Sequence, residues 1–300
     1  LMTRALGDRV KNWITLNEPW CISFLSHEIG EHAPGLKNRA LAMQAAHHCN
    51  LAHGMAVQAI RAATPRPADT NVGVTLNFST VLPLTDSDAD RRAAELVHQH
   101  DQFWCWFAKP IFTGAYEPAV LAMAGNDAPT VRPGDMALIA QRLDFLGVNY
   151  YTPIRIKDDN GRPHFARNPG AEYTLMDWEV EPEGLRVLLR DLRQLTGGRV
   201  PMFITENGSS FPDAIIGDHQ IHDERRIAYL RGHLSACRQA IAEGVDLRGY
   251  FVWSLLDNYE WAHGYQQYFG IVHVDYATQK RTIKDSGYFY RDVAAANALP

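Results

Sequence analysis

Two glutamates close strand-like apolar runs in this chain. Glu206 ends the run Met202, Phe203, Ile204 within PMFITENG (201–208), where Asn207-Gly208 reads as the turn that stops a strand. Glu18 ends the run Trp13 to Leu16 within VKNWITLNEP (10–19), and Pro19 biases it away from helical geometry, toward an extended strand end. One such acid could merely cap a helix or pair with an arginine. Two at equivalent strand exits can divide the work of a proton donor and a nucleophile. In an α/β barrel the C-terminal strand ends are where such chemistry is done, because the loops there vary around a fixed core.

The elements that must position these acids form a repeating pattern. Strands are expected at 11–17, 71–77, 143–150, 202–206 and 247–255, with helical segments at Arg39 to Ala63, Arg91 to Ala108, Pro182 to Leu195 and Asp223 to Glu243 between them. Repeated βα units imply parallel strands joined by right-handed crossovers. Residues 1–10 read as the tail of a helix. Asp86 to Asp90 reads as a helix N-terminus rather than a calcium site. Phe103, Trp104, Trp106 and Phe107 should pack the following helix on the sheet. Asn160-Gly161 and Asn168-Pro169-Gly170 mark an irregular excursion or hairpin between Thr152 and Asp177. A polar loop is expected after Glu206.

Three hundred residues, 46% of them hydrophobic, suffice for a substantial core, and no linker divides them, so one domain over 1–300 is expected. A formal charge of −5 without a basic block argues against nucleic acid as partner. Cys21, Cys49, Cys105 and Cys237 are widely spaced and expected as buried thiols. His47, His48 and His53 share one helix but lack a ligand spacing such as HExxH, so packing or surface positions are expected and no metal. No signal peptide or apolar membrane span is visible, and the expected location is cytoplasmic.

The motifs TLNEP and ITENG, with FLGVNYY (145–151), WSLLDNYEW (253–261) and GYQQYFGIVHVDY (264–276), resemble those of glycoside hydrolase family 1, the β-glucosidase family, in the family's order. The resemblance covers essentially the whole chain. It implies a (β/α)8 TIM barrel, of which the five strands would be units four to eight. The first three units would be absent, and with them the family's glycon-binding glutamine and histidine and the arginine beneath the nucleophile. It implies Glu18 as general acid/base and Glu206 as nucleophile of a retaining β-glycosidase, their carboxyls about 5 Å apart. Burial and the neighbouring charge would keep Glu18 protonated at the start, and donors around Glu206 would keep it ionised.

The resemblance further implies that Asn17, Asn149 and Phe269 lie at the substrate and that the Tyr151 hydroxyl donates to Glu206. Trp253 would stack on the sugar, Glu260 and Trp261 would read its distal hydroxyls, and Trp20 and His263 would meet the aglycone. An acid at position 260 repels a 6-phosphate, which favours unphosphorylated glycons. The chain departs from the family at Lys109-Pro110, where an acid usually precedes the proline. No cofactor is implied. The expected partner is a small β-glycoside, with no membrane, and with a companion fragment or second copy covering the open sheet edges. The alternative is a sugar-binding remnant that keeps Trp253 and Glu260 without turnover.

Overall fold

The five runs expected as strands all form, and they share one sheet. A computed structural model of the chain describes residues 1–213, 215–216 and 220–300. Part of the polar loop expected after Glu206 therefore lies outside the described residues. The strands are β1 (Asn12–Asn17), β2 (Asn71–Phe78), the short β3 (Val81–Pro83), β4 (Phe145–Tyr150), β5 (Ile154–Asp159), β6 (Arg162–Phe165), β7 (Met202–Asn207), the two-residue β8 (Ile215–Ile216) and β9 (Gln220–Ile221), β10 (Leu247–Val252), β11 (Val272–Val274) and β12 (Arg281–Ile283). The main sheet runs in the order β1-β2-β4-β7-β10, as repeated βα units require. The helices are α1 (Met2–Leu6), which precedes β1, then α2 (Arg39–Ala63), α3 (Asp88–Gln99), α4 (Lys109–Thr113), α5 (Pro118–Ala124), α6 (Asp135–Ile139), α7 (Pro182–Leu195) and α8 (Glu224–Ala242) between strands, and α9 (Asp285–Ala296), which follows β12.

Burial along the sheet explains the sequence pattern. All six residues of β4 are buried, as are five consecutive residues of β2, so neither strand alternates in polarity. The outer strands are more open: Ile14 of β1 is 45% exposed and Phe251 of β10 is 58% exposed. β10 ends at Val252, so Trp253 lies just beyond the strand rather than on it. β5 and β6 form the expected hairpin, turning through Asn160 (φ 53°) and Gly161 (φ 82°), the pair of left-handed residues that an Asn-Gly turn supplies.

The chain groups into two compact units. The first comprises residues 1–78, 95–149 and 192–203, the second 79–94, 150–191 and 204–300. In the first, Asn38 caps α2 by accepting from the Leu41 amide at 3.0 Å, and Ala42, Met43, Ala46, His47, Asn50, His53, Gly54 and Val57 form its buried face at spacings of three and four. Gly54 admits no side chain, because a Cβ there would stand 2.0 Å from the Leu138 carbonyl oxygen. The histidines on this face are packing residues with separate partners. His47 meets the Tyr116 hydroxyl at 3.0 Å and Asp135 at 3.1 Å, while His53 Nδ1 lies 2.7 Å from Thr15 Oγ1.

Three expectations are corrected here. The helix expected over 91–108 is broken: α3 stops at Gln99, and Asp101 accepts from the Phe103 and Trp104 amides to start a separate turn over Trp104–Ala108. The break lets Trp104, Trp106 and Phe107 all be buried, which one straight helix would not permit. Ser87, not an aspartate, caps α3 through the Asp90 amide, and the buried Asp90 side chain accepts from Thr85 and from the Asp158 amide. Finally, only Cys105 and Cys237 are buried thiols; Cys21 and Cys49 are partly exposed.

The second unit has its core at Phe211, Tyr229, Leu230 and Phe289, packed by Val180, Ile227, Leu234, Tyr250, Val252, Val293 and Leu299. His233 stacks on Tyr229 with centroids 3.9 Å apart and is fully buried. Burial lowers the pKa of His233, and of His53 in the first unit, to about 4. The unfolded chain takes up these protons near pH 6.5 and the folded chain only near 4, so stability is lost as pH falls through this window. The ceiling is about 3 kcal/mol per histidine. Denaturant midpoints at about pH 7 and 4.5 check this: His233→Gln should show a smaller fall than the wild type, and equal falls would remove His233 from the acid response.

Candidate active site

Glu18 is held by an irregular strand end. Ile14 pairs with Gly73 but Asn17 with Thr75, so β1 carries one extra residue against β2, a bulge that re-aims the residues after it. Glu18 is not extended as Pro19 suggested. Its φ is +48°, in the left-handed region. The reason is the abrupt change of direction: the Glu18 amide still donates to the Thr75 carbonyl at 3.1 Å, while its own carbonyl already accepts from Cys21 at 3.0 Å at the start of the wide helical turn Cys21–Ile29. Asn149, at the buried end of β4, donates through Nδ2 to Glu18 Oε1 at 2.8 Å and to Asn17 Oδ1 at 3.1 Å. Asn17, Glu18 and Asn149 therefore form one hydrogen-bonded group in the first unit. Trp20 is tied close by, its indole N–H donating to Gln102 at 2.9 Å and its ring 4.9 Å from Phe103.

Glu206 stands in the second unit at the end of β7. The Tyr151 hydroxyl donates to Glu206 Oε2 at 2.7 Å. That ring is packed by Trp178 and Phe269, at centroid distances of 5.1 and 6.1 Å, and its backbone carbonyl accepts from the Tyr229 hydroxyl at 3.1 Å. Phe269 is only 2% exposed and packs against the Tyr151 ring. Trp178 has no motif or periodicity around it, and sequence reasoning missed it.

Asn207 and Gly208 do not form the expected turn. Asn207 is the last residue of β7 and fully buried: its side chain donates to the Tyr150 carbonyl at 2.6 Å and accepts from the Tyr250 hydroxyl. Gly208 is needed for close approach, since a Cβ there would lie 1.8 Å from the Trp253 carbonyl oxygen. The Trp253 amide in turn donates to the Asn207 carbonyl at 2.9 Å, which places Trp253 beside the Glu206 strand.

Beyond Trp253 the chain forms a tight turn in which the Glu260 amide donates to the Gly264 carbonyl at 2.7 Å and the His263 amide to the Glu260 carbonyl at 2.8 Å. Trp261, on that turn, is 64% exposed. Asp257 pins the two ends of this segment: its carboxylate accepts from the Gly270 amide at 2.8 Å, from Lys284 Nζ at 3.0 Å, and meets His273 Nδ1 at 3.1 Å. Lys284 is fully buried and also pairs with Asp213, while Arg226 joins Asp213 to Asp223. Burial and Arg226 pull the Lys284 pKa down; its two carboxylate partners pull the other way. Among the described residues, Asp213, Asp257 and His273 are the group spaced to hold an ion. The Lys284 ammonium already stands between both carboxylates, which makes this a buried ion-pair network. Lys109, the departure from the family pattern, pairs with Glu117 at 2.9 Å. No described helix is long and apolar enough to cross a membrane.

Comparison with known proteins agrees with these motifs. A family model described as glycosyl hydrolase family 1 matches residues 1–299. The chain is 42% identical over 295 residues to β-glucosidase A of Thermotoga maritima, which covers 98% of this chain and 65% of that protein. It is 40% identical to a β-glucosidase of Agrobacterium, covering 97% of this chain and 63% of the relative, and 40% identical to a bifunctional β-D-glucosidase/β-D-fucosidase of Bifidobacterium breve, covering 97% and 65%. The chain thus spans about 65% of the length of the curated relatives it matches. The solved family 1 β-glucosidase of Thermotoga maritima in complex with isofagomine lactam superposes with a TM-score of 0.89 at 41% identity, covering 99% of this chain and 67% of that one. The order of the parallel strands, the placement of the two glutamates at strand ends and the match along essentially its full length lead to one conclusion: the chain belongs to glycosyl hydrolase family 1.

Proposed function

We propose that the protein is a retaining β-glycosidase of the β-glucosidase type, acting on unphosphorylated β-glycosides through a covalent glycosyl-enzyme, with Glu206 as nucleophile and Glu18 as acid/base. The observation that carries this reading is the 2.7 Å hydrogen bond from Tyr151 to Glu206. A phenol donating to a carboxylate favours its ionised form, the state a nucleophile must start in. In the first step a Glu206 oxygen forms a bond to the anomeric carbon as the bond to the departing oxygen breaks, and Glu18 gives that oxygen its proton. In the second, Glu18 takes a proton from water, the water oxygen bonds to the anomeric carbon, and Glu206 leaves as carboxylate. Asn17, Asn149 and Trp253 are read as substrate-side groups, Glu260 and Trp261 as readers of the distal hydroxyls, and Trp20 and His263 as aglycone contacts. The reading draws on the β-glucosidase activity of the relatives and on the segment around Glu260.

Glu260 provides the test. A charged group hydrogen-bonded to sugar hydroxyls contributes roughly 1.5–3 kcal/mol, so Glu260→Ser should lower kcat/KM for an aryl β-glucoside by about ten- to a hundredfold. Unchanged kcat and KM would remove Glu260 from the site. The exposed apolar side chains of the outer strands, Ile14 and Phe251, suit coverage by a companion fragment or a second copy. Assaying nitrophenol release across a size-exclusion profile reads both points together, because turnover confined to the mass of a bare 300-residue monomer would sink the proposed covering partner.

A further inference from the structure

Cys21 lies three residues beyond Glu18, and its Sγ is 3.1 Å from Glu18 Oε2, within reach of a thiol hydrogen bond. Behind it, Asn77 Nδ2 lies 3.8 Å from the same sulfur and donates toward it. The other oxygen of Glu18, Oε1, takes the Asn149 amide. The carboxyl is therefore gripped on both oxygens, by groups of different chemistry. The Asn149 Nδ2 group can only donate, so Oε1 must remain an acceptor whether or not Glu18 carries a proton. A thiol both donates and accepts weakly. Against a carboxylate the Cys21 S–H points at Oε2; against a carboxylic acid it turns away, and the sulfur accepts the Oε2–H.

We propose that Cys21 is a positioning residue for Glu18, holding Oε2 in both protonation states and marking Oε2 as the oxygen that carries the transferable proton. This rests on the reading of Glu18 as acid/base. It assigns Cys21 a task that a side chain of similar size without a donor, such as valine, cannot perform, and that serine can. The atoms balance as in the parent reaction: Oε2–H breaks as the departing glycosidic oxygen gains its proton, and the same Oε2 later regains one from water. The thiol changes hydrogen-bond role and is not consumed.

The test is a series of aryl β-glucosides ordered by the basicity of the departing phenol, run on the wild-type protein and on Cys21→Val, Cys21→Ala, Cys21→Ser and Glu18→Ala. If Cys21 positions the acid, the valine and alanine variants lose about tenfold or more in kcat/KM for phenyl glucosides but little for 2,4-dinitrophenyl glucoside, whose leaving group needs no proton. Cys21→Ser should restore the wild-type dependence on the leaving group. A loss equal across the series, or none, with Glu18→Ala still steep, overturns the proposal and leaves Glu18 as the acid. A flat series for Glu18→Ala overturns the reading of Glu18 itself, and the proposal falls with it. Should Cys21→Val not fold, the smaller Cys21→Ala decides on the same criterion.

Discussion

Glu206→Ala is expected to lower kcat for every aryl β-glucoside, activated or not, by at least about 10⁴-fold, because no improvement in the leaving group can replace the atom that attacks the anomeric carbon. The Tyr151 hydroxyl beside it is no substitute, since that ring is fixed by Trp178 and Phe269 rather than free to swing in. The variant should fold, since the half-buried Glu206 side chain is not among the core groups while Asn207 carries the buried hydrogen bonds of this strand end. Turnover above about one-hundredth of wild type by the purified variant would show that another group attacks.

Glu18→Ala should behave differently, and the contrast separates the two roles. With a poor leaving group the loss should reach about 10²- to 10⁴-fold, the range of general acid catalysis. With 2,4-dinitrophenyl glucoside the first step should survive and the second should become limiting, because nothing then deprotonates the incoming water. Azide needs no such help. It should restore turnover and yield a β-glycosyl azide, retention over two displacements. An α-configured azide from this variant would mean that the roles of Glu18 and Glu206 are exchanged.

The strands and both glutamates were legible because their signals are local: apolar runs of the right length, punctuated by proline and glycine. The Tyr151 donor was legible only through family resemblance. The features that escaped depend on partners distant in sequence. The bulge in β1 is a mismatch with β2, more than fifty residues away, and without it Pro19 argues for the wrong geometry at Glu18. The break at Asp101 is driven by where three aromatic rings must be buried. Asn207-Gly208 has the composition of a turn, and only the Trp253 backbone reveals that the glycine answers to crowding. Lys284 reads as a surface residue until Asp213 and Asp257, 71 and 27 positions earlier, are placed around it.

The left-handed backbone of Glu18 has a consequence for how this protein can change over generations. A β-unbranched residue other than glycine, asparagine or aspartate at φ +48° is held there at a cost of order 1–3 kcal/mol, which glycine would largely relieve. Drift at this position thus runs downhill in folding energy and uphill in chemistry. Lineages released from selection for turnover should accumulate glycine or asparagine at position 18 and remain abundant in the cell, so that loss of activity would leave no trace in expression. A variant library scored separately for abundance and for hydrolysis would show position 18 as one where the two scores move in opposite directions.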